Sequence, residues 1–203
     1  VENEIPGGVE TGQPFSPPVA IVHGLEYMLW ELGEPASPGL AMVAEEGATM
    51  TLEMEAGADP DVRSVTVGTG GPFFDSRTFE ITAEPGDLLS IAWMLGRTND
   101  LFSGIANVYL PASGSIEYQT SVYDAGSEMN TGMIAHIPFY GNSGVGPDEG
   151  GVVSMIDSYA VVDDPDQGRL EWAFPPAGRL RVRVLDPTPV AETSWSAVKA
   201  LFR

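Results

Sequence analysis

The sequence contains no cysteine at any of its 203 positions. Disulfide bonds, thiolate nucleophiles and cysteine-ligated zinc sites are therefore excluded.

Histidine is nearly absent as well, with only His23 and His136. These two could share a transition metal with a methionine such as Met129 or Met133, but single histidines satisfied by local hydrogen bonds are the commoner case.

Basic residues are scarce. Lysine and arginine together number 9, against 29 aspartates and glutamates, which gives a formal net charge of -20. Such a surface repels nucleic-acid phosphates and anionic lipid head groups, so we exclude nucleic acid and disfavour membranes as direct partners. It favours cations instead. Solubility or a saline habitat accounts for most of the acidic excess, and a specific ion site requires only a few of the acids.

Long apolar runs are also missing, since none reaches the roughly 18 residues that a membrane-spanning helix needs. The sequence begins at Val1 rather than at a methionine. We therefore expect a secreted or cell-surface protein from which a signal peptide was removed.

Turn-forming residues and short apolar runs are abundant, with 24 glycines, 17 prolines and 43% hydrophobic residues. This composition indicates many short elements around a real core. Patterns typical of strands occur at residues 19–23, 50–55, 62–67, 79–82, 88–95, 105–110, 116–122, 152–162, 170–174 and 180–185. The sequence thus predicts an all-β fold, an antiparallel β-sandwich of about eight strands with one or two short helices.

The predicted domain order is an N-terminal surface arm over 1–13, a β-sandwich over 14–186 and a C-terminal amphipathic helix over 187–203. The C-terminal helix would place Trp195, Val198, Leu201 and Phe202 on one face, to dock on the sandwich or on a partner. A second helix is predicted after Ser37, which suits the N-cap, and before Gly47, which suits the end.

Two carboxylates follow strand-like segments in the central stretch of the chain. Asp100 lies in a polar turn after the run 88–95, and Asp124 follows the run 116–122. Strand ends of an all-β domain gather at one pole, where loops commonly carry function. Taken singly, each aspartate is more simply interpreted as a turn residue that binds its own backbone.

Four ordered segments resemble the spondin N-terminal domain family. They are PFSPPVAIVH at 14–23, ASPGLAMVAEEG at 36–47, MLGRTNDLFSG at 94–104 and YDAGSEMN at 123–130. The resemblance implies an antiparallel β-sandwich related to calcium-dependent lipid-binding sandwiches, in an extracellular module of matrix and adhesion proteins. It also implies a calcium ion held by Glu80, Asp100 and Asp124. The family's cysteines are missing here, so the adhesive role of animal members does not transfer automatically.

Calcium takes six to eight oxygen ligands in irregular geometry, which three carboxylates with backbone carbonyls and water provide. Glu128 or the Asn130 side chain could complete the shell. We therefore expect a non-enzymatic module with a structural calcium ion, whose partners are extracellular proteins or glycans. The first alternative is a carbohydrate- or lipid-binding module in which the ion contacts the ligand. The second is a secreted hydrolase with an acid pair among Asp148, Glu149, Asp157 and Asp163.

Overall fold

The computed structural model describes residues 1–142, 144–174 and 176–185, so the predicted helix over 187–203 lies outside the described residues. The described strands are β1 (Glu2–Asn3), β2 (Val19–His23), β3 (Val62–Val67), β4 (Leu88–Met94), β5 (Leu101–Tyr109), β6 (Ser115–Asp124), β7 (Ser154–Ile156), β8 (Ser158–Asp164), β9 (Gly168–Ala173) and β10 (Gly178–Arg183). The helices are α1 (Gly8–Thr11), α2 (Pro38–Glu46) and α3 (Met50–Ala58), with 3-10 turns at Ile134–His136 and Pro138–Tyr140.

Eight of these strands form one large sheet in the order β1-β10-β6-β5-β4-β2-β3, with β7 paired to the far end of β6. The strands β8 and β9 form a separate two-stranded sheet. Every strand pair is antiparallel. The predicted all-β antiparallel architecture is thereby confirmed, with one sheet much larger than the other.

Strand β4 is buried on both faces along its whole length. On one face Leu89, Ile91 and Trp93 join a core that includes side chains of β8 and β9. On the other face Ala92 joins a second core, formed against the helices α2 and α3. Because the large sheet is covered on both sides here, the sequence of β4 is apolar without alternation.

Helix α2 begins and ends as the sequence predicts. The Ser37 side chain accepts a hydrogen bond from the Leu40 amide, and Gly47 follows the last turn with φ 66°. Both features satisfy backbone groups that a helix end otherwise leaves without partners.

The predicted strand over 50–55 is wrong, because these residues begin helix α3. Leu52 and Ala56, four residues apart, are the buried positions of this helix, so the core contacts follow helical spacing rather than strand alternation. Glu55 then accepts hydrogen bonds from the Gly39 amide and the Ser37 hydroxyl at the start of α2. These contacts between the two helices are absent from the local pattern on which the strand prediction rested.

Three further predictions are corrected by the strand pairing. Residues 79–82 form no strand. The predicted strand over 152–162 is interrupted at Asp157, which separates β7 from β8. The predicted surface arm is tied into the fold, because β1 pairs with β10 and Ile5 is buried in the core.

Candidate functional site

The turn between β4 and β5 holds Asp100 in a fixed position. The Thr98 hydroxyl donates to the Leu95 carbonyl over 2.6 Å and accepts from the Leu101 amide over 3.2 Å, which closes the turn. Asn99 is buried, and its side-chain oxygen accepts from the Tyr159 hydroxyl over 2.6 Å. Asp100 therefore lies in a turn that is hydrogen-bonded to Leu95, just after β4, and to residues of β5 and β8.

The carboxylate of Asp100 is fully buried and only half satisfied. Its Oδ2 atom accepts from the amides of Ser127 and Glu128, each over 2.8 Å, and from the Ser127 hydroxyl over 3.1 Å. Its Oδ1 atom is buried and has no hydrogen-bond partner among the described residues. An ionised oxygen left in this way costs free energy unless a cation or a proton satisfies it.

Asp124 is the last residue of β6 and lies beside the same turn. The strand register pairs it with Leu101, the residue that follows Asp100, and the Ala125 amide donates to the Asp100 carbonyl over 3.1 Å. Its Oδ1 accepts from the Gly126 amide over 2.7 Å and its Oδ2 accepts from the Asn130 side chain. The structure thus brings the two predicted aspartates together at one pole of the large sheet.

Glycine is required at the bend after Asp124. Gly126 has φ 69°, and a side chain there would collide with the backbone of Val152. Its carbonyl accepts from the Gly151 amide over 2.7 Å. The tight bend turns the chain back so that the next two amides reach Asp100.

Burial raises the pKa of both aspartates, and like charge adds to this effect at Asp100. For Asp100, desolvation by burial and then the charge of Asp124 raise the pKa to about 7, against the hydrogen bonds from Glu128 and Ser127 that lower it. Burial raises the pKa of Asp124 as well. Two carboxylates that resist ionisation side by side are the electrostatic signature of a shared proton or a bound cation.

Glu80 is not part of this pair. It is exposed and lines a cavity together with Leu110 and Pro111, just beyond the other end of β5. The nine residues of β5 separate the two ends, which at about 3.3 Å per residue is roughly 26 Å. The structure therefore does not bring Glu80 to Asp100 and Asp124.

Glu128 lies closer to the pair than Glu80 does. Its amide binds Asp100, its Oε1 accepts from the Gly146 amide over 2.7 Å, and its Oε2 is buried without a partner in the described chain. Burial and the charge of Glu45 raise its pKa. Glu149 is also near, since the charge of Asp124 adds to burial in raising the pKa of Glu149.

No set of three or more histidine, aspartate or glutamate side chains within the described residues is grouped closely enough to hold a metal ion. The pair Asp100 and Asp124 is thus the nucleus of the candidate site, with backbone oxygens and Glu128 at its margin.

Asn99 was not predicted from sequence as part of this region. What marks Asn99 is that its side-chain amide is buried beside the aspartate of the turn. The burial of a turn residue cannot be deduced from a single sequence.

The acids proposed for a hydrolase are not assembled into one site. Asp163 accepts from the Ile134 amide over 2.8 Å, and Asp157 lies beside Phe174. Asp148 pairs with Glu128 through a backbone bridge, and Glu149 follows it.

The two histidines are also separate, because His23 binds Ser90 and His136 binds Thr131. These contacts account for the histidines as structural residues.

The comparisons with known proteins agree with the fold and with the resemblance of the four segments. No described helix is long and apolar enough to cross a membrane. A search of curated proteins gave no significant match. A family model for the spondin N-terminal domain (Spondin_N) matches residues 4–135, which is more than half of the chain and includes both aspartates. The chain belongs to the spondin N-terminal domain family.

Proposed function

We propose that this chain is an extracellular binding module in which one calcium ion, held at Asp100 and Asp124, orders the loops at one pole of the sheet. Membership of the family suggests a non-catalytic module of the matrix or adhesion type, typically extracellular. We propose three things beyond this membership: the calcium ion, its ligands and the adhesive role. Its partners are extracellular proteins or glycans, as the family suggests.

The observation that carries the calcium proposal is the buried Oδ1 atom of Asp100, which has no partner in the described chain. A cation at this atom would satisfy it and would offset the repulsion from Asp124. The donors nearby are oxygens rather than nitrogen or sulfur, a set that suits a hard cation such as calcium. The chain's strongly acidic balance, a formal net charge of -20, favours cation binding in general.

The ligand set differs from the one that the resemblance implies. Glu80 lies at the other end of β5, and Glu128 contacts Asp100 through its amide while its carboxylate is not grouped with the two aspartates, so the remaining ligands of the ion would be backbone oxygens and water. When bound, the ion supplies positive charge that lets both aspartates ionise together. It would thereby join the start of β5, the end of β6 and the loop that follows.

The burial of Asp100 favours a structural ion over one that touches a ligand directly. Asp100 is fully buried, and Asp124 is half-buried with both of its oxygens hydrogen-bonded. An ion at this depth acts on partners by ordering the loop surface. Binding to glycan arrays and to liposomes, each with and without calcium, separates this role from a calcium bridge to a sugar or a lipid.

Calcium binding is tested by isothermal titration and by melting curves recorded in chelator and in excess calcium. We expect the wild type to bind one ion and to melt at a higher temperature with calcium, because an ion that binds only the folded state stabilises it by mass action. The variant Asp124→Asn should lose most of this gain. Glu80→Gln, which removes the same charge at the opposite end of the sheet, is the matched control and should keep it. A wild-type melting temperature that is the same in chelator and in calcium would contradict the proposal.

A further inference from the structure

Exposed apolar side chains are concentrated in the loops that follow β6. Seven of the seventeen large apolar side chains exposed in the described chain lie within residues 129–162, about a sixth of the sequence. They are Met129, Met133, Phe139, Val145, Val152, Met155 and Val162. Single exposed apolar residues are normal on a protein surface, but a concentration of them indicates a surface that another molecule covers.

Hydrogen bonds bring four of these residues into one strip. Residues 128–129 are bonded to residues 146–147 through two amides, over 2.7 and 2.8 Å. The Val162 amide donates to the Gly132 carbonyl over 2.9 Å, which places β8 beside the same loop. We call Met129, Met133, Val145 and Val162 the methionine strip; their exposed fractions are 51%, 44%, 65% and 46%.

The methionine strip begins at the candidate ion site. The Glu128 amide donates to Asp100, and the Asn130 side chain donates to Asp124. Both chain neighbours of Met129 are thus bound to the two aspartates. The strip therefore belongs to the loop that the proposed ion would order.

The strip lies in a part of the sequence without lysine or arginine. Residues 98–168 contain ten aspartates and glutamates and neither of the two basic residues. Three exposed acids, Asp148, Glu149 and Asp163, lie in the segments that are bonded to this loop. A surface that combines apolar side chains with negative charge is complementary to a partner that combines apolar side chains with positive charge.

The basic groups close to the strip are engaged elsewhere. His136 is the one histidine within residues 98–168, and its ring is hydrogen-bonded to a threonine. Arg169 lies opposite residues 162–163 in the pair of β8 with β9 and is ion-paired with Glu171 over 3.4 Å. Arg97 is buried, with 5% of its surface exposed. Within the described chain, none of these groups forms an ion pair with the three exposed acids.

We propose that the methionine strip binds a peptide segment of a partner protein that combines basic and apolar side chains. The partner's apolar side chains cover the strip, and its lysines or arginines pair with Asp148, Glu149 and Asp163. Methionine suits this role, because its unbranched thioether adapts to apolar groups of different shape. A neutral glycan carries no positive charge and does not complement this surface. The inference rests on the proposed function, since it assigns the partner to the loop that the ion would order.

Isothermal titration of the full-length chain with a synthetic amphipathic peptide of lysine and leucine tests the proposal. We expect this peptide to bind in the presence of calcium. Replacing its leucines by serine, or its lysines by glutamate, should weaken binding at least about tenfold, because the strip requires apolar and basic groups together.

A pair of methionine substitutions separates the strip from the overall acidic charge. Met129→Ser, Met133→Ser should weaken binding of the lysine–leucine peptide at least about tenfold, since both changes remove apolar surface and leave the net charge unchanged. The matched control is Met50→Ser, Met54→Ser. These two methionines are also four residues apart, are 70% and 63% exposed and lie beside the acid Glu53 on α3. The control should change binding less than twofold. Circular dichroism melting checks that both variants are folded.

Several results would overturn the proposal. They are an absence of peptide binding to the wild type, unchanged binding to Met129→Ser, Met133→Ser, and equal weakening in the two variants, which would mean that overall charge attracts the peptide. A wild-type dimer that Met129→Ser, Met133→Ser dissociates in sedimentation would assign the strip to a second copy instead. Calcium binding without peptide binding would contradict the strip and leave the ion site. Peptide binding that depends on Met129 and Met133, in a chain that binds no calcium, would support the strip and contradict the ion site.

Discussion

Replacing Asp100 by asparagine tests the electrostatics of the candidate site most directly. The amide keeps an oxygen that can accept from the Ser127 and Glu128 amides, while it removes the buried charge. It also offers an N–H group to the carboxylate of Asp124. The substitution therefore separates the charge of Asp100 from its role in holding the loop.

The size of the effect follows from the pKa of Asp100. Burial and the charge of Asp124 raise this pKa from its ordinary value of 3.8 to about 7. Since one pKa unit corresponds to 1.36 kcal/mol, ionising Asp100 in the folded chain lowers the free energy of unfolding by roughly 4 kcal/mol. An acid with a raised pKa stabilises the fold while it is protonated, so this stability is present below pH 4 and is lost as the pH rises to 7.

Urea denaturation followed by tryptophan fluorescence measures this difference. In chelator at pH 8, Asp100→Asn should be more stable than the wild type by roughly 3–4 kcal/mol, while at about pH 4 the two should differ little. Calcium at one hundred times its dissociation constant should then stabilise the wild type at pH 8 by about 2.7 kcal/mol and leave the variant nearly unchanged. Asp157→Asn, an exposed acid away from the pair, controls for the change in net charge.

Two results would refute this reasoning. If Asp100→Asn in chelator were less stable than the wild type at pH 8, the ionised carboxylate would contribute more through its hydrogen bonds than it costs through burial. If calcium stabilised the variant and the wild type equally, the ion would bind elsewhere on the acidic surface.

Three other substitutions probe the scaffold around the site. Gly104→Ala should prevent folding or cost more than about 3 kcal/mol in urea unfolding, because a methyl group there overlaps the Ile91 carbonyl in β4. Arg97→Met should cost about 2–4 kcal/mol in the same assay, since the buried guanidinium binds two carbonyls of the N-terminal segment. Tyr159→Phe should cost about 1–2 kcal/mol and lower the thermal midpoint, because it removes the 2.6 Å hydrogen bond to Asn99.

Features that depend on local sequence were predictable. The apolar run of β4 indicated a strand covered on both faces, and the structure buries all seven of its residues. Ser37 and Gly47 located the ends of α2, since capping chemistry depends only on the residues at the helix ends. The antiparallel class followed from many short runs separated by turns.

Features that depend on distant contacts were not predictable. Leu52 and Met54 alternate with polar residues, as in a strand, yet helix α3 forms because Leu52 and Ala56 bury against the sheet. Glu55 adds a contact to the start of α2 that the local pattern does not encode. The N-terminal residues resembled a surface arm because their partner, β10, lies almost at the other end of the chain.

The residues of the candidate site also fall into these two groups, those whose position follows from local sequence and those whose position depends on distant contacts. Asp100 directly precedes β5 and Asp124 is the last residue of β6, and antiparallel pairing places the start of β5 beside the end of β6 whatever the rest of the fold does. Glu80 precedes β4 by several residues, so its pole depends on the path of residues 77–85, which form no strand. The Glu128 amide reaches Asp100 only because Gly126 reverses the chain against Val152. The proximity of residues at strand ends is thus predictable from sequence, whereas the position of a residue in a loop requires the structure of that loop.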